Sequence, residues 1–252
     1  IPEEIKYPCF IKPNVSMKSN KGKMKKCDNK TELKKVLDRY ARSKDFEMLV
    51  EEYASIKAEY SILGLSTNGG VVSPGALKVV EGGHRQRKGV ALTGEIITSP
   101  ALKEITQKCN EFVKSLGYTG MFDIDLIEAD DGSLYFLELN FRAGASTHAL
   151  TTEGINLPAI LADYMLEGKP VDTNCKLYAD GKAFVSEKVL IEEYARGDIE
   201  KSKMKSCIKN AEIHFIEDYD DVEPYRYFKR LYPIASLMRI AYKITDSIKR
   251  QY

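Results

Sequence analysis

The chain has no tryptophan, only three histidines, and five cysteines among its 252 residues. Five is an odd number, and Cys9, Cys27, Cys109, Cys175 and Cys207 show no paired spacing. This argues against a disulfide framework or a zinc site and for reduced thiols in a cytoplasmic setting. No apolar run approaches the roughly 20 residues that a membrane-spanning helix needs, and no secretory leader is visible. Net charge is nearly absent too: 38 Lys and Arg stand against 37 Asp and Glu, leaving +1. The molecule as a whole therefore does not advertise a nucleic-acid partner. Locally the balance differs. Lys18, Lys21, Lys23, Lys25 and Lys26 crowd one early stretch, and Arg85, Arg87 and Lys88 crowd another. The length suffices to bury a substantial core in one or two domains.

The most informative stretch runs from Gly117 to Pro158. An apolar run carries Asp123 and Asp125, turns at Asp130-Asp131-Gly132, and resumes as Leu134-Tyr135-Phe136-Leu137-Glu138-Leu139-Asn140. Two β-rich runs around Asp-Asp-Gly predict a hairpin. Strand alternation places Phe136, Glu138 and Asn140 on one face and Asp123 and Asp125 together on the partner. Such an all-oxygen cluster is what Mg²⁺ with nucleotide phosphates demands. Glu138 and Asn140 interrupt the most apolar strand of the chain, which is expected to be buried.

These residues resemble the catalytic strand pair of the ATP-grasp superfamily, in particular its carboxylate–amine ligases. The matching positions are Asp125, Glu138, Asn140 and Arg142, in an acid, turn, Glu-x-Asn-x-Arg order. Gly144 to His148 resembles the loop that follows the metal site in D-alanine–D-alanine ligases, and the likeness extends to D-aspartate ligases and carbamoyl-phosphate-synthase-like domains. It covers residues 7 to about 170. It implies an α+β fold in which two α/β subdomains grip ATP between antiparallel sheets. The α/β domain that usually precedes them is not seen, and with no initiator methionine a fragment is expected. The expected divisions are a small subdomain at 1–53 with a flap at about 14–26, a large one at 54–170 with the metal site, and an extension at 171–252.

In chain order, Tyr7 to Pro13 reads as a buried strand ending near Lys12, the residue that the resemblance assigns to nucleotide phosphate and the adenine region. Asn14 to Lys26 corresponds to the family's flap but has one glycine and many lysines, so Lys21 or Lys23 would substitute for backbone N–H groups. Asn29 caps a helix with Leu33, Val36, Leu37 and Tyr40 at helical spacing. Phe46 to Val50 is a strand that runs into Glu51-Glu52-Tyr53, which matches the family's adenine-stacking hinge. Glu59 matches the acid that binds ribose hydroxyls, a task suited to an acceptor-only group. After a turn at Asn68-Gly69-Gly70, Val71 to Val80 is a second strand, with Lys78 directed at the phosphates. Arg85 and Arg87 in the basic loop 81–94 can bind a carboxylate or a transferring phosphoryl group. Ser99-Pro100 opens a helix whose apolar stripe is Leu102, Ile105, Cys109, Phe112, Val113 and Leu116, and Gly117 stops it. A further helix runs from about Leu157 to Glu167. Lys182 to Ile191 reads as a strand, Glu212 to Ile216 as a short one, and Leu231 to Ile248 as a basic amphipathic helix. Such a helix can lie on a membrane but is expected here to pack on its own protein.

The reaction that the resemblance implies is ATP-dependent ligation of a carboxylate to an amine through an acylphosphate, with release of ADP and phosphate. Asp125, Glu138 and Asn140 would hold two Mg²⁺ ions, or Mn²⁺. Asp123 shares the strand face of Asp125 and is its rival as a ligand; spacing to Glu138 favours Asp125. Arg142, Asn140, Lys78 and Arg87 would act at the reacting groups. Lys12, Lys23, Glu51, Glu52, Tyr53 and Glu59 would seat the nucleotide. Partners would be small carboxylates and amines of amino-acid or peptide-like type, in a bacterial-type cytoplasmic enzyme of a family that often forms homodimers. The rival reading is a non-catalytic, regulatory nucleotide-binding module.

Overall fold

A computed structural model of the chain describes residues 3–14, 24–41, 47–83, 90–98, 100–178, 180–217 and 221–249. It divides into two compact units, Ile1–Ile56 and Lys57–Tyr252. Lys23, His84, Arg85, Arg87 and most of the expected flap lie outside the described residues.

The first unit contains β1 (Cys9–Pro13), β2 (Lys25–Cys27), α1 (Lys30–Tyr40) and β3 (Met48–Glu52). β1 is central and antiparallel to both neighbours. Asn29 caps α1 as its sequence predicts, its side chain accepting a hydrogen bond from the Glu32 N–H. Leu33 and Val36 bury against Cys9, Ile11 and Cys27. Cys9 and Cys27 stand opposite each other across the β1–β2 ladder as buried free thiols, a proximity that their sequence spacing does not reveal.

In the second unit come β4 (Ile56–Thr67), β5 (Gly70–Val72), β6 (Ala76–Gly82), β7 (Ala91–Ile97), α2 (Pro100–Ser115), β8 (Gly120–Ala129) and β9 (Leu134–Asn140). After them follow α3 (Thr147–Thr152), α4 (Leu157–Glu167), β10 (Ala183–Val185), α5 (Glu187–Arg196), α6 (Lys201–Asn210), β11 (Ile213–His214), α7 (Glu223–Lys229) and α8 (Leu231–Lys249). One eight-stranded sheet has the order β11-β10-β7-β6-β4-β8-β9, with β5 paired to β4. One face packs on α2 through Ile62, Ala76, Leu102, Cys109, Val113, Phe122, Ile124 and Leu126. The other packs Leu63, Leu65, Leu77, Ile96 and Met121 with Leu150 and Leu157 of α3 and α4. Segment 171–252 continues this same sheet, since β10 pairs with β7. The Phe184 ring lies on Gly94, where a Cβ would come within 2.2 Å of it.

Three local expectations are corrected. β9 is an edge strand, not a buried one, and Leu134, Tyr135, Phe136 and Leu137 are exposed. Lys182 to Ile191 is strand only over β10; the rest is α5, because a short buried apolar run such as Val189-Leu190-Ile191 has no decisive periodicity and Ser186 offers a helix start. Phe112 and Leu116 of the predicted α2 stripe lie at its exposed margin.

α5 is held to the sheet's end by its first residue. The buried Glu187 carboxylate accepts hydrogen bonds from the backbone N–H groups of Phe215, Ile216 and Glu217 and faces His214 Nδ1 at 3.2 Å. His214 Nε2 faces the Ala211 carbonyl at 3.3 Å, so both ring nitrogens meet acceptors. The doubly protonated ring satisfies both, and the hydrogen bond to Glu187 is the largest cause of a His214 pKa above its ordinary 6.5, with Glu217 adding to it. Because the folded value is raised, this stabilisation is complete below about pH 6.5 and is lost as pH rises through the folded value. In urea titrations, the stability difference between the native chain and His214→Asn should therefore be largest below pH 6.5 and shrink above it. Glu187→Gln should cost about 2–3 kcal/mol, by weakening the acceptor for three backbone donors.

Candidate active site

Asp125 stands opposite Glu138 and Asp123 opposite Asn140 in the β8–β9 ladder, as the hairpin predicts. The turn closes with the Ser133 N–H on Asp131 and with Gly132 at a φ of +82°, a conformation that suits glycine. Next to Glu138 the regular pairing breaks. Leu126 pairs with Phe136, so Leu137 is an extra residue, a β-bulge. The bulge turns Phe136 to the α2 face, where its ring meets Phe112 edge-on at 5.8 Å, while Glu138 and Asn140 stay with the acids. The expectation that Phe136 shares their face is thereby corrected.

Ser61 of β4 donates its hydroxyl to Asp125 Oδ1 at 2.9 Å, which places Ser61, and Glu59 two residues before it, on the acidic face. β4 lies between β6 and β8, so Glu59 is on an interior strand, and burial raises its pKa. Ser61 pairs with Leu77, so the next residue, Lys78, projects from the opposite face. There it aligns with Tyr60 and Glu95, its ammonium 3.3 Å from the Glu95 carboxylate. Lys78 is thus not brought to the acids; the one-residue phase of β6 was not readable without its register.

The electrostatics are those of carboxylates crowded out of water. Asp123 is buried, its Oδ1 has no hydrogen-bond partner among the described residues, and its pKa is raised to about 7. Burial is the chief cause, with Asp125 and Glu138 adding to it and Arg142 opposing. Arg142 Nη1 stands 3.8 Å from Asp123 Oδ2 and donates to the Ala143 carbonyl. Asp125 is raised to about 6, again mainly by burial, with Ser61 opposing and Glu138 and Glu59 adding. Asn140 Nδ2 donates to Glu138 Oε1 at 3.1 Å. Gly144 lets the following loop close over the acids, since a Cβ there would come within 2.5 Å of Asp123 Oδ2.

An orphaned buried carboxylate oxygen and an all-oxygen donor set fit a hard divalent cation. Among the described residues no three or more His, Cys, Asp or Glu side chains form a metal cage by themselves. Mg²⁺ commonly takes one or two carboxylates and completes its shell with water and phosphate oxygens. Ser61 escapes the sequence reading, although a polar residue two positions from Glu59 on one strand is a signal for it. Gly144 falls in the loop expected after the acids, but nothing local marks its closeness to Asp123.

In the first unit, Lys12 forms an ion pair with Glu51 at 2.8 Å. Glu52 pairs across the ladder with Cys9, and the Tyr53 ring lies under the Lys26 ammonium at 4.8 Å.

Comparison with known proteins accords with this geometry. No curated protein sequence matches the chain. An L-amino acid ligase from Bacillus licheniformis superposes with a TM-score of 0.53 at 19% identity, over 70% of this chain and 44% of that one. N5-carboxyaminoimidazole synthase from Aspergillus clavatus, in complex with ADP and 5-aminoimidazole ribonucleotide, gives 0.54 at 15% identity, over 68% and 44%. Biotin carboxylase from Campylobacter jejuni, in its β-γ-ATP complex, gives 0.54 at 18%, over 71% and 41%. The chain spans less than half the length of each, and the likeness establishes the fold. A family model for the ATP-grasp domain matches residues 1–158, more than half of the chain. The chain belongs to the ATP-grasp family.

Proposed function

We propose that the chain carries the nucleotide and metal site of an ATP-dependent ligase that joins a carboxylate to an amine. The observation that carries this reading is the register of β8 on β9, which sets Asp125 against Glu138 and Asp123 against Asn140 on one half-buried face. The ligase and carboxylase names of the structural neighbours support it as far as shared fold can. In this reading a carboxylate substrate attacks the γ-phosphate of ATP, giving ADP and an acylphosphate, and an amine then displaces phosphate to form the amide. Positioning and charge neutralisation carry such phosphoryl transfers.

Asp125, Glu138 and Asn140 would hold Mg²⁺, which would offset charge on the phosphates. Ser61 orients Asp125 through its hydroxyl. Arg142, largely exposed at the rim, would stabilise the transferring phosphoryl group, and Asp123 would hold its guanidinium nearby. Glu59, on the same face as Asp125, would accept ribose hydroxyls. Lys12, braced by Glu51, and the hinge Glu51-Glu52-Tyr53 would seat phosphate and adenine, together with Lys23. Arg87 would meet the acid substrate. Lys78 has no role at the phosphates in this reading. The substrate class is an amino acid or a peptide-like acid and amine, and a cytoplasmic setting suits the reduced thiols.

Calorimetric titration of ATP should give Mg²⁺-dependent binding that Glu138→Gln abolishes with its melting temperature unchanged. Binding that ignores both Mg²⁺ and the substitution would remove the metal assignment. ADP release against a panel of acids and amines should fall by roughly 100-fold or more in the same variant. Nucleotide binding with no ADP release for any pair would favour the regulatory module instead. Ser61→Ala should weaken Mg²⁺-dependent binding by about tenfold, the usual size of a lost orienting contact.

A further inference from the structure

Helix α8 has a mixed docked side and an apolar side opposite it. Tyr232, Ala235, Ser236 and Arg239 lie on one side and pack on α5: Ala235 is buried in the α5 cluster, Ser236 meets the Tyr194 hydroxyl, and Arg239 donates to the Tyr194 and Ile199 carbonyls. At 100° per residue, Ile234, Leu237 and Met238 fall on the far side, with Ile240 at its edge, and all four are exposed, Leu237 by 67%. The sequence continues the same spacing at Ile244 and Ile248. Among the described residues no element covers Ile234, Leu237, Met238 or Ile240, and exposed apolar stripes of this kind commonly mark an interaction surface.

Charge separates the candidates. Residues 225–252 hold seven Lys and Arg against one acid, Asp246, whereas residues 1–224 hold 31 against 36; Arg239 is engaged by Glu200 and Arg226 by Glu223, which leaves five. A near-neutral chain has thus gathered its positive excess on the segment that bears the uncovered apolar face. A second copy of α8 would bring this excess against itself. No described helix is long and apolar enough to cross a bilayer, and Arg239 sits in the middle of this one. The geometry points to an anionic lipid surface: we propose that α8 lies along it, with Ile234, Leu237, Met238 and Ile240 in the acyl boundary and the exposed Lys229 and Arg230 toward the headgroups. This inference does not depend on the ligase reading.

Cosedimentation of the full chain with vesicles tests it. Binding should be strong to an equal mixture of phosphatidylcholine and phosphatidylglycerol and weak to phosphatidylcholine alone. It should weaken by about tenfold or more at high salt, because surface charge attraction is screened within a few ångströms there. Leu237→Glu, an exposed position, should abolish it without changing the circular dichroism spectrum. The pair Lys229→Gln with Arg230→Gln, which leaves the apolar face intact, should lower anionic binding severalfold and serves if the first variant misfolds. Absence of binding to the mixed vesicles would overturn the proposal. So would a dimer, seen by light scattering, that Leu237→Glu dissolves while vesicle binding stays negligible.

Discussion

Like charges held together out of water constrain this molecule most. Asp123, Asp125 and Glu59 share one face of one sheet with the more exposed Glu138, and burial pushes those first three toward giving up their charge. A sheet holds them because strand pairing fixes their spacing whatever the cost at the side chains. The surroundings then moderate that cost: a hydroxyl from Ser61, a guanidinium from Arg142 and an amide from Asn140 each meet one of the carboxylates. Asp123 Oδ1 receives no hydrogen bond from any described residue. Buried acids gathered in this way are a mark of functional sites more than of cores.

The bulge at Leu137 shows how local geometry serves this. In an unbroken ladder Phe136 and Glu138 would share a face, and the acid face would carry an aromatic ring. The extra residue sends Phe136 to α2 and leaves Glu138 beside Asp125. Pairing at the edge of the sheet makes such an insertion tolerable, since no further strand must follow the kink. The same edge position goes with the exposure of its first five residues, whereas Leu139 packs on the α2-side core.

How much of this was readable in advance follows from the range of each interaction. The β8–β9 hairpin, the Asn29 cap of α1, the Gly117 stop of α2 and the extent of α4 and α8 rest on contacts between near neighbours in sequence. So does the partnership of Asp125 with Glu138, because a short turn sets the register. What was misjudged depends on distant pairing. Lys78 looked free to reach phosphates until β6 was placed in register with β4, which put Leu77 and not Lys78 beside Ser61. Val189 to Ile191 could be strand or helix until Glu187 was seen gathering the backbone N–H groups after β11. Gly144 matters only because the loop it begins returns to Asp123.

The attachment of α8 is itself an argument about its other side. A surface helix is usually docked by burying one broad apolar stripe. Here the docked side is narrow and partly polar. Ala235 contributes little area, while Arg239 stacks on the Tyr194 ring, bonds to two backbone carbonyls and reaches the Glu200 carboxylate. Guanidinium contacts of that kind fix an orientation as well as an attachment, because the planar fork bonds only in set directions. The larger residues, Leu237, Ile234, Met238 and Ile240, all point elsewhere. Had burial against the protein been the helix's only task, exchanging the two stripes would have placed more apolar area out of water for the same backbone. The chain instead uses a specific polar clamp on the inside and leaves its apolar area on the outside, beside a concentration of positive charge.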